Sequence, residues 1–189
     1  LEHHRTDKAL PDLNELKEQI ALEYGRCLLQ LQQFELMLKA VLPTLKVSGF
    51  SDELAEKVEL DRQRLVCKTL GHLVGQWNQR TTPRDEEEIN NDALNGRAYF
   101  RFSFSLEDGE WMSEKLKQLV ELRNELVHHF LSRFTLNSEA SCQEAISYLS
   151  TAASTIKSNR DTLQSLLIAF ENGKTDLFDL INSPSVDSR

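Results

Sequence analysis

The chain has 189 residues, 40% hydrophobic and 28% charged, with 7 Gly and 4 Pro. This is the composition of one globular helical domain, long enough to bury a continuous core. A formal charge of −8, from 30 acidic and 22 basic residues, argues against a protein that coats nucleic acid through a broad basic surface, and leaves room for a small basic cleft. No apolar run approaches the ~18 residues of a membrane span, and no signal peptide is legible, so the expected setting is cytoplasmic, with no membrane partner.

Residues 1–8, opening Leu1-Glu2-His3-His4 without an initiating Met, read as a tag or disordered start and admit a larger parent protein. Residues 9–182 read as a single helical domain, and 183–189 as a disordered tail. Cys27, Cys67 and Cys142 are far apart and odd in number; with no C-x-x-C spacing they imply neither a disulfide framework nor a zinc site, and are expected to be buried small apolar residues.

The first element is an amphipathic helix from Leu13 to Leu42. Leu13, Leu16, Ile20, Tyr24, Cys27, Leu31, Phe34, Leu38 and Leu42 recur at three- and four-residue steps, and Pro43 is expected to end it. Ser51-Asp52-Glu53 looks like a helix start. The second helix is expected to run to about Trp77, with Leu54, Val58, Leu65, Val66, Leu70, Leu73 and Trp77 inward, His72 in a structural role, and Gly71 and Gly75 allowing close approach.

Residues 81–96, with Pro83, the acidic run Asp85 to Glu88 and Asn95-Gly96, have loop composition. Phe100, Phe102, Phe104 and Leu106 alternate with polar residues, the period of a strand. Its unpaired backbone must find a partner, either residues 45–50 of the same chain or the same strand of a second copy. A third helix is expected from about Gly109 to Phe134, and a fourth from Ser138 to about Phe170, stopped by Asn172-Gly173. A short terminal helix then spans Thr175 to Ile181. The sum is an all-α, up-down bundle of four to five helices with a small β insertion.

The third helix carries the chemistry. Leu116, Leu119, Val120, Val127, Phe130, Leu131 and Phe134 cluster on one side at about 100° per residue, and Arg123 falls in the middle of that side. A guanidinium on an apolar seam must meet an acid, line a polar cleft or face an interface, because an unpaired buried charge costs several kcal/mol. Asn124 and His128, four apart, share one flank, with Glu121 a further turn back and His129 on the other flank.

The string Arg123-Asn124-Glu125-Leu126-Val127-His128 resembles the signature of the HEPN superfamily, an Arg and a His separated by four to six residues, often with a polar residue directly after the Arg. The resemblance extends to size, to the helical bundle and to the late central helix that bears the motif. It implies a metal-independent endoribonuclease working as a homodimer with two facing motifs, with no cofactor, in toxin–antitoxin, phage-defence or RNA-processing settings. The implied partners are RNA, a second copy and an antitoxin or regulatory protein.

Within that resemblance His128 takes or gives the proton, Arg123 binds the phosphate, and Asn124 orients the imidazole or meets the phosphate. His129 and Glu121 are weaker members of the same set. The contrasting reading pairs Arg123 with a core acid such as Glu35 and makes the chain a non-catalytic dimerisation or adaptor module. Glu125-x-x-His128 also has the form of a di-iron ligand pair, but such sites need a second Glu-x-x-His and two further Glu, and the sequence holds no second copy. No Gly-rich phosphate loop, Gly-x-Ser-x-Gly or His-Glu-x-x-His is present.

Overall fold

The computed structural model describes residues 12–83, 98–107 and 109–182. The expected tag, the acidic run Asp85 to Glu88, Asn95-Gly96 and the 183–189 tail lie outside the described residues. What remains is mostly helical with one small sheet. No helix among the described residues is long and apolar enough to cross a membrane.

The first helix, α1, spans Leu13–Leu45. Glu15 accepts a hydrogen bond from the Asp12 backbone N–H at its start, half of a capping box. Its inward residues fall on a heptad, Ile20, Cys27, Phe34 and Val41 alternating with Tyr24, Leu31, Leu38 and Leu45. Pro43 does not end the helix. It is buried within the last turn, where it removes one backbone hydrogen bond without stopping the chain from completing that turn.

Strand β1, Lys46–Phe50, follows without a break and pairs antiparallel with β2, Tyr99–Ser103, in the register Val47 opposite Phe102 and Gly49 opposite Phe100. The apolar strand therefore finds its partner within the chain, and it no longer calls for a second copy. Phe104 and Leu106 pack on the core, but Phe100 and Phe102 remain exposed.

The second expected helix is two: α2, Leu54–Leu65, and α3, Leu70–Thr81. Leu65 and Leu70 are both buried, and five residues of helix would place them about 140° apart at 3.6 residues per turn. The chain breaks between them so that both reach the core, and Val66, which would have linked the two seams, is exposed. His72 is exposed. The glycines are not needed for close approach, since a Cβ on Gly71 would meet only Val120 at 3.7 Å and one on Gly75 would meet nothing within 4 Å.

The next rod is made of α4 (Glu110–Asn124), a π-turn (Glu125–His129) and α5 (Phe130–Arg133). The last helix, α6, spans Glu139–Asn182. It runs straight through Asn172-Gly173, whose cost of about 1 kcal/mol for the glycine does not outweigh cooperative propagation from a long helix. Cys142, Ala145, Leu149, Ala152, Ile156, Asn159 and Leu163 form its buried heptad.

The first helix packs chiefly against α6, and less extensively against α3, α2 and α4. Cys27 Sγ lies 3.6 Å from the Leu149 carbonyl. Further along, the Phe104 N–H donates to the Leu45 carbonyl while the Phe104 ring packs edge-on against Phe170. The two helices thus run in the same direction. The α4 rod runs the other way, meeting Tyr24 through Leu126 and Phe130.

Candidate active site

Leu126, not Val127, turns into the core after Arg123, giving the seam Met112, Leu116, Leu119, Arg123, Leu126, Phe130 and Phe134. Val127 is 43% exposed and Leu131 74%, against the expectation that both face inward. A π-turn closes hydrogen bonds from i to i+5, one residue more than an α-turn, yet Phe130 and Phe134 beyond it stay inward as expected; the core lies toward Leu119 and Leu126, which leaves Val127 and Leu131 on the outer flank. Arg123 itself keeps its place on the seam and is half-buried at its edge.

The π-turn also sets the geometry of the motif. Residues five apart diverge by about 140° on an α-helix, whereas the i to i+5 spacing of a π-turn stacks them. Arg123 Nη1 lies 3.4 Å from His128 Nε2 and 3.2 Å from Asn124 Oδ1. A guanidinium has donors only, so in a hydrogen bond between the two Arg123 is the donor and Nε2 the acceptor. The imidazole stands exposed to solvent beside a cation.

The π-turn is braced from α1. The Tyr24 hydroxyl donates to the Leu126 carbonyl at 2.9 Å, and its ring packs on Phe130 with centroids 5.0 Å apart. A hydrogen bond from outside into the helical ladder is one of the causes that hold a local distortion in place. In sequence, Tyr24 shows only as one more inward position on α1, with nothing to signal that its hydroxyl matters.

The other expected site residues are placed differently. Asn124 touches Arg123 rather than His128, so it positions the guanidinium and not the imidazole. His129 is exposed, its ring edge-on to that of His128 with centroids 6.3 Å apart. Glu121 is exposed, and no hydrogen bond or ion pair joins its carboxylate to the motif; its backbone carbonyl accepts from the Glu125 N–H. Glu35 is taken by Lys39 at 2.7 Å. Among the described residues no carboxylate pairs with Arg123, and no group of three or more His, Cys, Asp or Glu is gathered as a metal ion would need.

Cys27 and Cys142 are buried as expected, but Cys67, in the turn between α2 and α3, is exposed. Burial, reinforced by Glu23, raises the Cys27 thiol above its ordinary pKa. Arg80 carries no signal in the sequence. It donates to the Leu42 carbonyl at 2.6 Å, grips Asp61 with both terminal nitrogens and reaches Gln76 at 3.2 Å. It closes the carboxyl end of α1, where backbone carbonyls lack helical partners. Compared with known proteins, the chain matches no family model, no curated protein and no solved structure.

Proposed function

We propose that the chain is a metal-independent endoribonuclease of HEPN type that acts as a homodimer, in toxin–antitoxin, phage-defence or RNA-processing settings. The observation that carries this reading is the Arg123–His128 pair: a solvent-facing imidazole 3.4 Å from a guanidinium that no carboxylate pairs with among the described residues. The chemistry comes from the two groups. His128 Nε2 takes the proton of a ribose 2′-OH, and the freed oxygen attacks the adjacent phosphorus. The bond from phosphorus to the 5′-oxygen breaks, leaving a 2′,3′-cyclic phosphate. Arg123 holds the phosphate and offsets the charge gathering on its oxygens.

The leaving 5′-oxygen needs a proton, and one imidazole cannot give and take at once. A second copy with its own Arg123 and His128 supplies the acid, which is the chemical reason for a dimer. Val127 and Leu131, apolar and exposed beside the pair, offer the contact surface for that copy.

The test is purified protein with structured RNA in EDTA, alongside light scattering at micromolar concentration. Dimeric wild type should cut the RNA, and Arg123→Ala and His128→Ala should not. A monomer removes the composite site. A dimer that cuts nothing leaves the second reading, a non-catalytic dimerisation or adaptor module, which the same exposed apolar residues favour.

A further inference from the structure

A cavity of about 270 Å³ lies between β1 and α2, lined by Pro43, Lys46, Val47, Ser48, Lys57, Leu60, Asp61 and Arg64. In a chain of charge −8, three cations converge here on one carboxylate, and that carboxylate is already engaged by both terminal nitrogens of Arg80. Lys57 shares an exposed ion pair with Glu53 at 3.2 Å, a contact weak enough to exchange for a better anion. Lys46 and Arg64 are exposed and have no acidic partner among the described residues.

Val47 also lines the adjoining apolar cavity, where Phe102 and Phe170 meet Leu54 and Val58 of α2. Phe102 stands directly opposite Val47 in the sheet, and its ring lies nearly parallel to that of Phe100, at 7° with centroids 6.4 Å apart. Both rings are exposed. A cation-lined groove beside exposed aromatic faces is the combination that holds single strands: the cations track phosphates and the rings stack bases.

We propose that this groove docks the phosphate backbone of single-stranded RNA, with Phe102 and Phe100 as the platform for unpaired bases. The proposal rests on the ribonuclease reading only for its choice of RNA. The groove is a separate site: Tyr24, which meets the π-turn, and Leu45, which precedes β1, are roughly 30 Å apart along α1 at 1.5 Å per residue.

The experiment is fluorescence anisotropy of a labelled oligouridylate of about twelve nucleotides, on full-length protein carrying His128→Ala so that the probe stays intact. Adding Lys46→Ala, Lys57→Ala and Arg64→Ala together should weaken binding by roughly ten-fold or more, and should lower the slope of log K against log salt by about 2, since each single-strand phosphate contact contributes about 0.7. Phe102→Leu, which keeps the apolar contact, should weaken binding by about five-fold without changing that slope. Circular dichroism checks that each variant is folded.

Unchanged affinity in the folded triple variant overturns the proposal. So does displacement of the RNA by polyglutamate at equal concentration, which would assign the groove to an acidic protein segment. Inorganic phosphate that competes as well as the oligouridylate also overturns it, leaving a generic anion site. Groove-dependent binding by a wild-type protein that cuts nothing removes the catalytic reading and upholds the groove. Cleavage with binding indifferent to the three cations removes the groove alone.

Discussion

Two arginines, Arg80 and Arg123, sit at the margin of the same core with opposite surroundings. The Arg80 side chain is 15% exposed and its partner Asp61 26%; a carboxylate, a backbone carbonyl and an amide together engage both of its terminal nitrogens. Arg123 has an amide oxygen and an imidazole, and no carboxylate among the described residues. A charge whose partners are built into the fold is a structural tie. One left at the surface without a carboxylate from the described fold is available to an anion from outside.

Paired substitutions break or sharpen that contrast. Arg80→Ala should cost about 2–3 kcal/mol, below the value for a fully buried pair because both groups retain some solvent, and thermal unfolding should shift down by roughly 5–10 °C. Arg123→Ala should change stability by no more than about 1 kcal/mol in either direction while lowering RNA cleavage by about two orders of magnitude or more. If calorimetry finds Arg123→Ala as destabilising as Arg80→Ala, Arg123 is a second tie and the contrast collapses.

His128→Ala removes an exposed side chain, so the unfolding midpoint should stay within a degree or two while cleavage falls by about a hundredfold or more. Equal cleavage by wild type and His128→Ala would strip His128 of its assigned role. A subtler test is Tyr24→Phe, which keeps the ring on Phe130 and deletes only the hydroxyl that braces Leu126. It should cost about 1 kcal/mol and reduce cleavage several-fold by loosening the stacking of residues 123 and 128. Unaltered kinetics would show that the π-turn stands without this brace.

The smallest effect concerns the thiols. Native protein should react with a thiol reagent rapidly at Cys67 alone, with Cys27 and Cys142 reacting only in denaturant, because burial both shields Cys27 and holds its proton. Mass spectrometry of the labelled peptides decides this.

Much of the architecture was legible because it rests on short-range periodicity. The inward face of α1 and the period-two strand could both be read from their residues. What escaped involves a change of phase or a long-range choice. The break after Leu65 shifts the phase between two regular seams, and a wheel of fixed angle carries on through it. Asn172-Gly173 has the local chemistry of a helix end, but the extent of α6 is set by cooperativity along the whole rod.

At the site, the sequence placed Arg123 on the seam but not its contact with His128, which five residues of α-helix would have kept apart. Arg80 and Asp61 are joined across 19 positions on different helices, and no local pattern signals such a pair. The choice between two partners for the strand at Phe100 likewise depended on the fold, which supplied β1.

The parallel pairing of α1 with α6 has a consequence for the timing of folding. Residues 46–138 must be made before the first helix can meet its chief neighbour, which at translation rates of about 5–20 residues per second is a wait of roughly five to twenty seconds. During that interval the heptad face of α1 has no mate, and Tyr24 has no settled position from which to brace the π-turn. A nascent chain on the ribosome, itself made of RNA, thus carries Arg123 and His128 before the scaffold that aligns them is complete. Amide exchange should show the same dependence, with α1 and α6 losing protection together as one cooperative unit.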